Sequence, residues 1–135
     1  MTFTTNTNLL ANCRRLFLKD YDVPMNIGVH EFEKKAEQRV IINIDLYVPL
    51  RDNSPQQDEL AEVVDYDFMR ETIKSIVSRG HIQLQETLCD EIMQKMLAHP
   101  LVVAARVSTE KPDVYPDCAS VGVESFQVKN QQLFK

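Results

Sequence analysis

A lysine locked against a proline, Lys111-Pro112, is the first place in this chain of 135 residues where a side chain could be held ready for chemistry. Proline fixes its own φ and pushes the preceding residue towards extended backbone, so Lys111 sits at a strand end with little freedom. Taken alone, such a lysine reads as a solvated side chain at a loop entrance, its stem on the protein and its charge in water. Glu86, in LQETL, is flanked by Leu84 and Leu88 in the first turn of a helix. Negative charge is favoured there by the helix dipole, and a carboxylate can also accept a planar pair of N–H donors bidentately. Glu33 lies in a loop entering a long strand, and Lys34 and Lys35 beside it suggest a solvated charge cluster. Tyr66, in VVDYDFM, is an aromatic at a helix start. It could pack on a sheet or relay a proton through its phenol.

The elements that must position these residues are legible in order. Residues 14–23 alternate well enough for a strand ended by Pro24. Over 38–48 the alternation is cleaner. Val40, Ile42, Ile44, Leu46 and Val48 share one face, and Arg39, Ile41, Asn43, Asp45 and Tyr47 share the other. Met69, Ile73, Ile76 and Val77 fall at helical spacing with Gly80 beyond the end. A second helix runs from about Gln85 to Ala98, with Leu88, Ile92, Met93 and Met96 on one face and His99-Pro100 as its stop. Strands over 101–109 and 119–128 follow. The order ββααββ predicts an α+β fold: an antiparallel sheet with both helices on one face. The other face, carrying Ile41, Tyr47, Val102 and Ala104, is apolar enough to favour sheets that join edge to edge in a ring.

Composition narrows the classes further. A net charge of −5 with no basic stripe argues against nucleic acid as a partner. No apolar segment is long enough to span a bilayer, and the first residues lack the charged-then-apolar order of a secretory signal. Residues 1–13 read as a polar N-terminal extension ahead of one domain over 14–130. Cys13, Cys89 and Cys118 form neither a metal pair nor a disulfide framework, which suits a reducing cytoplasm.

Four blocks, IGVHEFEKKAEQRV (27–40), VVDYDFM (63–69), LQETLCDEI (84–92) and EKPDVYPDCASVGVE (110–124), together resemble the dihydroneopterin aldolases, members of the tunnelling-fold (T-fold) group of pterin and purine enzymes. The resemblance covers roughly Leu16 to Val128. It implies a ββααββ tunnelling fold whose subunits form tetrameric rings, stacked into octamers, with sites between subunits. It implies a cofactor-free retro-aldol cleavage of 7,8-dihydroneopterin, in which the C6=N5 imine of the substrate is the electron sink. Lys111 would be the catalytic base, requiring burial or a cationic neighbour to favour its neutral form. Glu86, helped by backbone groups at Gln85, would anchor the pterin; several members have an apolar residue where Gln85 stands. Glu33, matching Gly28, Glu33 and Gln38 of the family pattern G-x-x-x-x-E-x-x-x-x-Q, would lie near the substrate side chain. Tyr66 would close over the pterin from a neighbouring subunit. Asn26 and Ile27 replace a Tyr-His pair common in the family, which puts fine substrate preference in question.

His30, His81 and His99 share no metal-ligand spacing, unlike the zinc-dependent relatives of this fold group. Two rivals share the same residues. One is a 2′-epimerase acting on dihydroneopterin or its triphosphate, for which Lys34, Lys35 and Arg39 are the available cations. The other is a non-catalytic pterin-binding ring protein, which would not need Lys111.

Overall fold

The computed structural model describes residues 11–129. Most of the polar stretch 1–13 therefore lies outside the described residues. The strands β1 (Cys13–Met25), β2 (Gln38–Pro49), β3 (Ala104–Lys111) and β4 (Val121–Val128) form one antiparallel sheet in the order β1-β2-β3-β4. The helices α1 (Asp67–Val77) and α2 (Gln85–Ala98) stand between β2 and β3 in the chain. The ββααββ order and the helix positions follow the sequence pattern.

The period-2 pattern of β2 decides the layering. Val40, Ile42, Ile44, Leu46 and Val48 are fully buried in one cluster with Met69, Ile73 and Ile76 of α1 and Leu88, Ile92, Met93 and Met96 of α2. Each such side chain contributes about 1.5–3 kcal/mol when fully buried, so one apolar face of β2 supplies much of the drive to cover it with helices. The α1 start is tied by Asp65, whose carboxylate accepts the Asp67 amide at 3.0 Å. The α2 start has Leu84 as N-cap and no side-chain cap, which leaves the amides of its first turn facing outward.

Several boundaries differ from the sequence reading, β4 beginning at Val121 rather than 119 among them. Pro24 does not end β1; it pairs with Arg39 inside the strand. β1 is a sheet edge, where a missing N–H costs no ladder bond. β3 begins at Ala104 rather than 101, because the Val102 amide turns back to the His99 carbonyl at 3.2 Å. Val102 accordingly belongs to the helix-side core and not to the open face. β3 also runs on to Lys111, which makes the lysine the last residue of the strand.

The open face keeps Ile41 and Tyr47 half-buried and Ala104 buried opposite Tyr47. Its centre is ionic. Asp45 pairs with Arg15 at 2.7 Å and with Arg106 at 3.7 Å, and these guanidiniums lie over Phe17 and Phe126. The face is thus more polar than the pattern of Ile41, Tyr47, Val102 and Ala104 suggested.

Candidate active site

Lys111 is 8% exposed, on the helix-facing side of β3 that also buries Ala105, Val107 and Thr109. Its Nζ donates to Glu33 Oε2 at 2.8 Å, across 78 residues of chain. The bland reading of a solvated lysine is therefore wrong for this chain. Glu33 is 7% exposed, in a 3-10 turn over Glu31–Lys34. Its Oε2 also accepts Gln38 Nε2 at 3.0 Å, and its Oε1 accepts the His30 amide at 3.3 Å. It is not the solvated charge cluster suggested by its lysine neighbours; Lys34 turns away to Glu31 at 3.7 Å.

The backbone beneath this pair is pinned from the α1–α2 connection. The Gly28 amide donates to the Ile82 carbonyl at 2.9 Å, and the Gly28 carbonyl accepts from His81 Nε2 at 2.7 Å. Gln38 Nε2 reaches back to the Ile27 carbonyl at 2.6 Å. Glu33 lies directly over Gly28, whose φ of +127° and missing Cβ make the space.

A cleft of about 290 Å³ opens beside the ion pair and brings together Glu33, Gln85, Glu86 and Lys111, walled by Leu84, Tyr115 and Val121 among others. Glu86, the second residue of α2, is exposed and free to receive donors. Tyr66 is not among the lining residues; it stands 68% exposed at the N-cap of α1. A larger hollow of about 760 Å³ shares Val29, Gln83 and Leu84 with the cleft. Its charged pair, Arg79 with Glu91, is a surface bridge, so the smaller cleft is where acid and base meet.

The electrostatics of the pair follow from its partners. Burial disfavours the Glu33 carboxylate, but hydrogen bonds from Lys111, Gln38 and the His30 amide, with the Lys111 charge, outweigh it and hold the group at about 2. The neighbour of Lys111 is therefore an ionised carboxylate, not the cation that would favour a neutral amine. Because the folded Glu33 value lies below its ordinary 4.5, the pair's stability is present above pH about 4.5 and is lost as pH falls towards about 2. Glu33→Gln should lose that acid-sensitive part of the stability, on the order of 3 kcal/mol. Urea melts of both proteins at pH 3 and pH 7 read the difference. Equal pH slopes for the two proteins would show that Glu33 is not held low.

Gln38, the His30 amide and His81 complete the site without a role having been read for them in the sequence. Tyr115, 54% exposed in the loop four residues beyond Lys111, was likewise passed over. Periodicity gives no signal for residues that act through loop backbone. Among the described residues no three His, Cys, Asp or Glu side chains gather into a metal-binding group. No helix among them is long and apolar enough to cross a membrane.

The model of the dihydroneopterin aldolase family matches residues 16–126. The Escherichia coli dihydroneopterin aldolase is 27% identical over 108 residues, covering 80% of this chain and 88% of that one. Among solved structures, a dihydroneopterin aldolase from Burkholderia thailendensis bound to guanine has a TM-score of 0.83 at 57% identity, covering 90% of this chain and 95% of that chain. The Escherichia coli enzyme in complex with neopterin has a TM-score of 0.78 at 25% identity, covering 84% of this chain and 98% of that chain. The sheet order, the two helices on one face and the family model over most of the length agree: this chain belongs to the dihydroneopterin aldolase family and has its tunnelling fold.

Proposed function

We propose that this cleft binds 7,8-dihydroneopterin and cleaves it to 6-hydroxymethyl-7,8-dihydropterin and glycolaldehyde, as a cytoplasmic, cofactor-free step of folate biosynthesis. The observation that carries the reading is the buried Lys111–Glu33 pair on the wall of a cleft that also holds Glu86. Support comes from the relatives, one of them bound to neopterin and another to guanine, a flat heterocycle with a similar donor edge.

The ring N–H and exocyclic amine of the pterin would be received by the exposed Glu86 carboxylate. Uncapped first-turn amides, at Gln85 among others, are available for its carbonyl. The side chain then lies along the cleft towards Lys111 and Glu33. The 2′-hydroxyl gives up its proton, the C1′–C2′ bond breaks, and glycolaldehyde leaves. The electron pair passes into C6=N5, and the enol-like carbon C1′ is then protonated to restore the imine. One proton leaves an oxygen and one reaches a carbon, so a single amine can serve both steps. Glu33 fixes where that amine stands, and Lys111 must give up a proton to solvent, loosening the pair, before its neutral amine can accept one from the hydroxyl. Tyr66 would reach the intermediate only from a second copy of the chain. That requires assembly, in tetrameric rings and octamers, with sites between subunits. Exposed Val29, Leu84, Tyr115 and Val121 around the mouth suit burial by a neighbouring subunit.

A triphosphate substrate is disfavoured by the cations available. Arg39 is held by Asp113 through Nε at 3.1 Å and Nη2 at 3.3 Å, and by Asp22 through Nη1 at 3.1 Å. Those two aspartates would also repel a phosphate chain.

Purified protein given 7,8-dihydroneopterin without added metal should release glycolaldehyde stoichiometrically with 6-hydroxymethyl-7,8-dihydropterin. Glu86→Ala should weaken product binding by 10²-fold or more, about 3 kcal/mol for a lost bidentate, charge-assisted pair. Formation of the 2′ epimer alone would give the epimerase reading in place of the aldolase. Binding without any turnover would leave only a pterin-binding ring protein. Unchanged affinity in Glu86→Ala would remove the anchor.

A further inference from the structure

We propose that the Gln85 side chain is a positioning residue that clamps the first turn of α2 to the strand pair carrying Lys111, and so sets the distance between the pterin anchor and the amine. The clamp has two arms. Gln85 Oε1 accepts the Thr109 hydroxyl at 2.9 Å, and Gln85 Nε2 donates to the Val121 carbonyl at 3.2 Å. Both contacts are special with respect to Lys111. Thr109 precedes it by two residues on the same buried face of β3, and Val121 is its cross-strand partner on β4. Glu86 is the next residue after Gln85 on α2. One carboxamide therefore ties the anchor's turn to both strands at the place where the amine emerges.

Burial makes the first arm costly to lose. Thr109 is 1% exposed, so its hydroxyl has no water to replace Gln85. The clamp continues one turn along α2, where Cys89, 1% exposed, donates its thiol to the Val107 carbonyl at 3.4 Å and lies 3.5 Å from Ser125 Oγ. Val107 and Ser125 are again cross-strand partners. Residues 85 and 89 share a helix face by their i, i+4 spacing, so the polar contacts form a ladder down one side of α2. Nothing about anchoring a pterin through backbone groups requires an amide side chain at Gln85. The clamp is what the side chain adds in this chain.

The inference rests on the pterin-cleaving reading of the cleft, and the experiment separates the two. Dissociation constants for 6-hydroxymethyl-7,8-dihydropterin and amide hydrogen exchange at Val121, Gly122 and Val123 are measured for wild type, Gln85→Leu, and Gln85→Leu combined with Thr109→Val. Gln85→Leu should weaken binding by about 10-fold and speed exchange at these amides by a similar factor. The added Thr109→Val removes the orphaned hydroxyl but leaves Val121 without its donor, so it should change either effect by less than about 3-fold, the clamp being already gone. An unchanged constant and unchanged exchange in folded Gln85→Leu would overturn the proposal. So would a 10-fold loss of binding with exchange unchanged, which would make Gln85 a direct ligand contact. If wild type bound no pterin, the functional reading would fail, and the exchange data would still decide the clamp. Should Gln85→Leu not fold, Gln85→Glu keeps the acceptor for Thr109 and loses the donor to Val121. Exchange at Val121 should then still rise, and unchanged exchange there would count against the clamp.

Discussion

Lys111→Ala should lower kcat for dihydroneopterin cleavage by about 10²–10⁴-fold, the range for a positioned acid–base group, while 6-hydroxymethyl-7,8-dihydropterin still binds. The substitution has a second effect that must be kept apart from the first. It leaves Glu33, 7% exposed, without its cation, and a buried carboxylate stripped of its partner costs about 3–5 kcal/mol. Gln38 and the His30 amide remain to hold it. The Glu33 carboxyl should rise from about 2 towards its ordinary value, and the single variant should melt early. Combining Lys111→Ala with Glu33→Gln should restore most of the stability and none of the turnover. Stopped assays for glycolaldehyde alongside thermal melts separate the effects; recovery of activity in the double variant would remove Lys111 from the chemistry. The same variant tests the shared site. Mixed with Tyr66→Phe under conditions that exchange subunits, Lys111→Ala should regain part of the activity that both lack alone, because some sites would pair an intact Lys111 with an intact Tyr66. A mixture no more active than its parts would place each site within one chain.

The parts of this site differ in how far the sequence discloses them, and the difference is physical. β2 could be read residue by residue because a half-buried strand writes its burial in every second side chain, from Val40 to Val48. The helices were equally plain, since Met69, Ile73 and Ile76 repeat at 3.6 and the repeat stops short of Gly80. Strand ends were harder. Pro24 reads as a stop only if the strand is central, and nothing local says that β1 is an edge. The Lys-Pro step suggested the end of β3, but not that the lysine turns inward to a carboxylate 78 residues away. Long-range pairing of this kind leaves no periodic trace, and Lys34 and Lys35 beside Glu33 point the reader towards solvent. The resemblance to a family supplied these residues, and the geometry brings Glu33, Gln85, Glu86 and Lys111 to one cleft. Tyr66 is the exception: it stands exposed at the N-cap of α1 and does not line that cleft.

Gly28→Ala should be as damaging as a direct hit on the ion pair, although the residue carries no side chain. Two separate penalties meet there. A φ of +127° is a conformation that L-residues avoid, costing on the order of 1–3 kcal/mol. A Cβ at this position would also overlap the Glu33 carboxyl group, which is fixed by Lys111, Gln38 and the His30 amide and has no free rotamer to retreat to. Gly80 separates the terms. Its φ of +115° is strained in the same way, but nothing lies within 4 Å of a Cβ built there. Gly80→Ala should therefore lower the melting temperature by a few degrees, at roughly 3–4 °C per kcal/mol for a domain of this size, and leave turnover near wild type. Gly28→Ala should show at least that loss of stability and a fall in kcat of about 10²-fold, because the displaced carboxylate no longer fixes the amine. Paired melts and glycolaldehyde assays on the two variants decide the matter. Equal activity in both would mean that Glu33 can move aside without cost, and that the ion pair is not what places Lys111.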